Sequence, residues 1–210
     1  MITVILTCYK RFENFESVIK GWLFQPEVDE IIILDNSGVF KTQLPVIVVS
    51  VNKNLGPQAK YALALWAKNE DIILADDDIL VEEGIVKDFL KHGSPNRILG
   101  ILGRNFTGEG YYDSTAYWGA DIDTPQKVDW LGGGCTMAKR KDCKVYMAEC
   151  PAMCLDDLWW ESHFESLPFL YVIPTKKYKF LQENWDSNAL HHHPDIKPLR
   201  EKYVKELGFR

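Results

Sequence analysis

Three adjacent carboxylates, Asp76, Asp77 and Asp78, directly follow the apolar residues 72–75. Like charges packed into so short a stretch repel one another unless a cation or hydrogen bonds compensate them. Mg²⁺ and Mn²⁺ supply such compensation, and they bind through one or two carboxylates together with substrate phosphates. This acidic run, residues 76–78, therefore indicates a divalent-metal site that holds a phosphate-bearing ligand. The alternative is a solvated turn that precedes a helix.

Strand and helix patterns place the acidic run in an α/β fold. Short apolar runs, typical of strands buried on both faces, lie at residues 2–6, 31–34 and 72–75, with a further strand at 46–51. Apolar residues recur at helical spacing over 12–23, 59–66 and 85–90. This alternation predicts a mostly parallel central sheet flanked by helices.

Polar residues follow three of these strands. The first strand is followed by residues 7–11, the second by residues 35–38 and the third by the acidic run. In open parallel sheets the ligand crevice lies outside the carboxyl ends of the strands. We therefore expect these three segments to meet, and their meeting favours a nucleotide-diphosphate site over a solvated turn.

The second half of the chain is less regular. Residues 104–127 have the composition of a loop-rich stretch, and a glycine-rich turn, residues 132–134, follows Trp130. The remaining predicted elements are strands at 98–102, 135–138 and 170–173 and helices at 155–162 and 198–207. We interpret residues 1–210 as one domain, with a nucleotide-binding half at 1–103 and an acceptor and sugar half at 104–210.

Composition excludes several classes of function. With 24 basic and 30 acidic residues and a net charge of −6, nucleic-acid binding by a basic face is not expected. We expect no membrane span, because no apolar run approaches the ~18 residues that a span needs, and no export leader is recognisable. Five cysteines without Cys-x-x-Cys spacing support neither a disulfide framework nor a zinc site. These features favour a cytoplasmic location.

The order of these motifs resembles that of the GT-A fold glycosyltransferases. The motifs are a strand end Thr7-x-Tyr9-Lys10-Arg11, a strand end Asp35-Asn36-Ser37-Gly38, the strand end Asp76-x-Asp78, the glycine-rich turn and a later Asp156-Asp157 pair. Within that fold the chain is most similar to the exostosin-like branch, and it also resembles a glycosyltransferase domain encoded by chlorella viruses. The resemblance covers roughly residues 2–193, and its specific part is the Asp-x-Asp element together with the first strand.

The resemblance implies a nucleotide site. Its expected members are Thr7, Tyr9, Arg11, Asp35, Asn36, Lys60, Asp76 and Asp77. The first three fall where the family wraps the base and ribose, and Asp35 and Asn36 fall where the second strand end meets the base. Lys60 falls near the diphosphate.

The resemblance also implies a metal site and a reacting site. Asp78 and Asp76 would bind Mn²⁺ or Mg²⁺, with His191 of the run 191–193 as a further ligand. Asp157 and Asp156 match the acidic pair near the reacting carbon. A plain helix N-terminus is the alternative for this pair.

Aromatic and glycine residues complete the expected site. Trp130, Gly133 and Gly134 are candidates for contact with the donor sugar or the acceptor, with a flexible turn as the alternative for the glycines. Stacking on an acceptor sugar is open to Tyr111, Tyr112 and Trp118, for which core packing is the alternative. Of the neighbouring pair Trp159 and Trp160, we expect Trp159 to be the core residue.

The implied activity is metal-dependent transfer of a hexose-type sugar from a UDP-sugar to a glycan or glycoprotein. The chlorella-virus resemblance makes a viral capsid glycan the acceptor and the host cytoplasm the location. The exostosin-like branch favours retention, with Asp157 stabilising charge on the sugar ring, whereas inversion requires a general base, a role that Asp157 could also fill.

Two alternatives stay open at this point. A sugar nucleotidyltransferase needs a glycine-rich loop after the first strand, and residues 7–11 contain no glycine. The other alternative is a noncatalytic module that binds a nucleotide sugar, and the presence of the acidic run, Asp157 and the histidines together argues against it.

Overall fold

The computed structural model describes residues 1–108, 110–145, 147–164, 168–181 and 195–207. Its strands are β1 (Ile2–Cys8), β2 (Val28–Asp35), β3 (Ile47–Ser50), β4 (Asp71–Asp76), β5 (Ile79–Val81), β6 (Arg97–Gly100), β7 (Leu102–Phe106), β8 (Ser114–Trp118), β9 (Gln126–Val128), β10 (Trp130–Leu131), β11 (Cys135–Lys139), β12 (Phe169–Val172) and β13 (Tyr178–Phe180). Its helices are α1 (Phe15–Leu23), α2 (Ala59–Ala64), α3 (Ile85–His92), α4 (Asp156–Ser162) and α5 (Ile196–Leu207).

An eight-stranded sheet forms the centre of the fold, in the order β3-β2-β1-β4-β11-β6-β12-β9. The first four strands of this order are parallel, as are β6 and β12, whereas β11 and β9 run antiparallel to their neighbours. The predicted mixed α/β fold with a mainly parallel sheet is confirmed. No helix in the described part of the chain is long and apolar enough to cross a bilayer.

Strand register brings the polar strand ends together. Thr7 of β1 lies opposite Asp76 of β4, and Cys8 lies opposite Asp35 of β2. The segments that follow β1, β2 and β4 therefore leave the sheet along one edge, as the sequence predicts.

Helices cover both faces of this sheet, which explains the uninterrupted apolar runs. Every residue of β1 is buried. Trp22 of α1 and Phe89 of α3 belong to the core on one face, and Tyr61 of α2 and Trp160 belong to the core on the other. Fully burying such a side chain stabilises a fold by about 1.5–3 kcal/mol. The expectation for the tryptophan pair was wrong, because Trp160 is the fully buried member and Trp159 is only half-buried.

The secondary structure of the second half of the chain differs most from the sequence prediction. The predicted strand at 98–102 is two strands, since β6 joins the central sheet while β7 joins a small sheet with order β10-β7-β8. The stretch expected to be loop-rich, 104–127, contains β8 and part of β9. Buried and exposed positions do not alternate in β8. This strand is stabilised by hydrogen bonding to β7 and not by burial of one of its faces, so it has no strand-like apolar pattern.

Candidate active site

A cleft of about 590 Å³ opens at the carboxyl ends of β1 and β4. This volume is in the range that holds a small-molecule ligand. The predicted residues on its wall are Thr7, Tyr9, Arg11, Asn36, Lys60, Asp76, Asp77, Asp78, Tyr111, Tyr112, Trp130, Gly133, Gly134, Asp156 and Asp157. Asp35 and Trp118 do not line it, and His191 lies outside the described residues.

Arg11 compensates the acidic run. Its guanidinium forms an ion pair with Asp77 and donates to Asp78 Oδ2 at 2.9 Å, while the Tyr9 N–H donates to Asp77 Oδ2 at 3.3 Å. Burial raises the pKa of Asp77 to about 7, although the charge of Arg11 opposes this shift. The preceding residue, Lys10, has φ of 61° in the left-handed region, where residues other than glycine are uncommon. This turn follows the end of β1 and precedes the arginine that contacts the acidic run.

Lys60 connects the two acidic groups of the cleft. Its Nζ donates to Asp76 Oδ1 at 3.0 Å and to the Gly133 carbonyl at 2.7 Å, and it lies 3.9 Å from Asp156 Oδ2. The residue is 1% exposed. Burial alone would lower the pKa of Lys60, but Asp76 and Asp156 reverse the shift and raise it. An ammonium group has three donors, and two of them have protein acceptors here, while Lys60 also lines the cleft, so its contact with a diphosphate stays a prediction.

The Asp156-Asp157 pair begins α4, and both residues are buried. Asp157 accepts hydrogen bonds from the Leu158 N–H at 2.8 Å and from the Gly133 N–H at 3.4 Å. Burial, with the neighbouring charge of Asp157, raises the pKa of Asp156 to about 7, against the opposing effect of Lys60. Asp156 is therefore a second carboxyl group of the cleft, besides Asp77, whose pKa is raised to about 7.

Arg200 is a cleft residue that the sequence interpretation missed. Its Nη2 donates to both carboxylate oxygens of Asp157, at 3.1 and 3.2 Å, and its Nη1 donates to the Tyr111 hydroxyl at 2.9 Å. Asp157 raises the pKa of Arg200 against the effect of burial. Helical spacing could have predicted that Arg200 lies on the buried face of α5, because it is four residues from both Ile196 and Val204, which are buried.

Two buried aromatic rings support this arginine. The Arg200 guanidinium lies 5.0 Å from the Tyr111 ring centre and 5.6 Å from that of Trp130, and these rings meet edge to face. Trp130 and Tyr111 are buried, so neither offers a broad face to a sugar. Tyr112 lines the cleft and is 46% exposed, and Trp118 is exposed outside the cleft, where it packs on Phe180.

Asp35 closes a turn and does not face the cleft. Its carboxylate accepts hydrogen bonds from the Ser37 N–H and hydroxyl, from the Phe40 N–H and from the Ser50 hydroxyl. These bonds outweigh burial and lower the pKa of Asp35. Its neighbour Asn36 lines the cleft instead, where its side-chain amide exchanges hydrogen bonds with the backbone of residues 55–56.

The acidic run fits a metal that is bound mainly through a ligand. In the described ranges no three His, Cys, Asp or Glu residues form a group that could hold a metal ion. The side chains of Asp76 and Asp78 line the cleft and are 33% and 17% exposed. Mg²⁺ in phosphate-binding sites takes one or two carboxylates and completes its shell with phosphate and water oxygens. Asp76 and Asp78 are a donor set of that kind.

Sheet order and cleft position together define a GT-A-like fold. No family model and no curated protein matches the chain. Residues 1–349 of S. aureus TarS are similar to it with a TM-score of 0.58 and 17% identity, over 84% of this chain and 59% of that one. The same protein in complex with UDP-GlcNAc gives a TM-score of 0.59 and 15% identity, over 90% and 61%. The chain therefore spans about three fifths of the TarS chains, and the likeness to them does not extend to the exostosin-like or chlorella-virus assignment.

Proposed function

We propose that this chain is a glycosyltransferase that uses a UDP-sugar donor with Mn²⁺ or Mg²⁺. The observation that carries the proposal is that one cleft joins the acidic run to the Asp156-Asp157 pair, with Lys60 in contact with both. The GT-A-like fold supports it, as does a solved complex of TarS with UDP-GlcNAc.

Each acidic group has a distinct part in the proposed reaction. A metal ion held by Asp76 and Asp78 would neutralise the charge of the leaving diphosphate. Lys60 holds Asp76 in place, and Arg200 holds Asp157 through both carboxylate oxygens. Such fixed charges act by orientation and by electrostatic stabilisation of the transition state.

Asp156 is suited to proton transfer. A general acid or base is most effective when its pKa lies near the working pH, and the pKa of Asp156 is raised to about 7. Asp157, paired with Arg200, is suited to electrostatic stabilisation at the sugar ring. Retention of the anomeric configuration stays a prediction, and NMR of the product's anomeric proton would test it.

The nucleotide class and the metal are tested together by calorimetric titration of UDP, GDP and CMP, with and without Mn²⁺. We expect binding of UDP only, dependent on Mn²⁺ and weakened at least tenfold in Asp78→Ala. Asp71→Ala is the matched control, because Asp71 begins the same strand and pairs with Lys139 away from the cleft. Binding that is indifferent to Mn²⁺ and to Asp78 would contradict the proposal. Tight binding of a nucleoside triphosphate would favour a sugar nucleotidyltransferase.

Finer features of the activity also stay predictions. They are transfer of a hexose-type sugar, a glycan or glycoprotein acceptor such as a viral capsid glycan, and a cytoplasmic location. Incubation with deglycosylated capsid fragments and a panel of labelled UDP-sugars tests the acceptor, and absence of transferred label would exclude that assignment.

A further inference from the structure

Glu161 is a buried carboxyl group that does not line the cleft. It is 4% exposed and lies on α4, one helical turn after Asp157. Both of its carboxylate oxygens lie 3.1 Å from the Leu131 backbone nitrogen, which donates to them. Burial, followed by the charge of Asp157, raises the pKa of Glu161 well above its usual range. Burying a carboxyl group costs free energy unless it is hydrogen-bonded, so the position of Glu161 calls for a structural explanation.

The backbone that contacts Glu161 belongs to the segment of residues 131–134, whose three glycines line the cleft. On one side of this segment, the Gly132 N–H donates to the Leu102 carbonyl of β7. On the other side, the Leu131 N–H donates to Glu161 and the Gly133 N–H donates to Asp157. The amides of residues 131, 132 and 133 therefore meet a carboxylate of α4, the strand β7 and again a carboxylate of α4, in that order.

Two carboxylates on one face of α4 accept hydrogen bonds from two amides of this segment. Residues four apart on a helix lie on one face, about 6 Å apart along its axis. Asp157 and Glu161 are four apart on α4, and Leu131 and Gly133 are two apart on the segment. The two carboxylates therefore hold this segment from the side opposite β7.

The same segment contacts both acidic groups of the cleft, the acidic run and the Asp156-Asp157 pair. The Gly134 carbonyl accepts from the Asp76 N–H at 2.9 Å, and the Gly133 carbonyl accepts from Lys60. A shift of this segment would move Asp76 and Lys60 together with the Asp157 contact.

We propose that Glu161 is a positioning residue that fixes residues 131–134 against α4 and so sets the distance across the cleft between Asp76 and Asp157. The inference rests on the proposed transferase function for its kinetic consequence but not for its structural one. Glutamine keeps an oxygen that accepts from the Leu131 N–H, whereas leucine fills similar space and leaves that amide without a partner.

The test compares four proteins: the parent, Glu161→Leu, Glu161→Gln and the control Asp142→Leu. Asp142 is a matched control, because its carboxylate also accepts from a backbone amide, that of Lys139, outside the cleft. Backbone hydrogen exchange and the turnover of UDP-sugar are measured on all four proteins. In Glu161→Leu we expect the amides of residues 131 and 133 to exchange at least about tenfold faster. We also expect kcat to fall at least about tenfold while the Kd for UDP with Mn²⁺ changes less than threefold.

Glu161→Gln should stay within threefold of the parent protein on every measure, and Asp142→Leu should leave residues 131–134 and kcat unchanged. If Glu161→Leu does not fold, Glu161→Asp replaces it, because aspartate keeps the carboxylate but shortens its reach by one methylene. Unchanged exchange at residues 131 and 133 would overturn the proposal whether or not the protein transfers sugar. Changed exchange with unchanged kcat would overturn the positioning role alone, and absence of turnover in the parent protein would refute the transferase function instead.

Discussion

Replacing Lys60 with methionine removes the cation between the two acidic groups while preserving most of the side-chain volume. Breaking a buried ion pair by removing one partner costs about 3–5 kcal/mol, because the remaining charge stays buried without compensation. Asp156 is such a partner, whereas Asp76 is a third exposed and partly screened by water. We therefore expect Lys60→Met to lower the free energy of unfolding by about 3 kcal/mol at pH 8, near the lower end of that range.

The loss should shrink as the pH falls. The pKa of Asp156 is already raised to about 7 in the folded protein, and removal of Lys60 raises it further. A carboxyl group whose folded-state pKa exceeds its unfolded value stabilises the fold when protonated, and this contribution disappears as the pH rises through the folded pKa. Between about pH 4 and 8, Lys60→Met should therefore approach the parent protein in stability as protons bind.

Urea denaturation at pH 8 and pH 5.5 measures both effects. Lys139→Met is the control, because Lys139 pairs with Asp71 in a partly exposed site, where an ion pair contributes about 0–1 kcal/mol. Adding Asp156→Asn to Lys60→Met should restore about half of the lost stability, since the uncompensated charge is then gone. A loss below about 1 kcal/mol at pH 8, or an equal loss at both pH values, would refute the reasoning.

Two further predictions concern the reacting end of the cleft. Arg200→Lys keeps the positive charge but not the paired contacts to Asp157 and Tyr111, so we expect turnover of UDP-sugar to fall at least about tenfold with UDP affinity within threefold; unchanged turnover would contradict this role. With Asp156 as the general base and its pKa raised to about 7, turnover should rise with pH through that value, and Asp156→Asn should abolish this rise. Persistence of the same pH dependence in the variant would refute this role of Asp156 and point to Asp77, whose pKa is also raised to about 7.

Local sequence patterns were sufficient to predict the half of the site that lies on the parallel strands. Strands buried on both faces give uninterrupted apolar runs, and polar residues at their ends mark one edge of the sheet. The register of Thr7 with Asp76 follows directly from that arrangement. The same pattern, a polar residue at a strand end, placed Asp35 in the nucleotide site, but its carboxylate accepts hydrogen bonds within a turn and does not line the cleft.

The remaining site residues depend on contacts that are distant in sequence. Arg200 meets Tyr111 across 89 residues, and Glu161 meets the Leu131 amide across 30. Lys60 becomes a bridge only because β4, the glycine-rich turn and α4 converge on it. Helical spacing places Arg200 on the buried face of α5, but no local spacing encodes its contact partner or those of Glu161 and Lys60. The strand β8 was not predicted for a similar reason, since its partner strand rather than an apolar face stabilises it.

The release of UDP from a panel of UDP-sugars in the presence of Mn²⁺ tests the central claim most directly. It is measured with the parent protein, with Asp157→Asn and with the control Asp71→Ala. We predict turnover of at least one UDP-sugar by the parent and the control, and loss of at least about 100-fold in Asp157→Asn with UDP binding retained. Binding of UDP without turnover of any donor would contradict the account and identify the chain as a noncatalytic nucleotide-sugar-binding module.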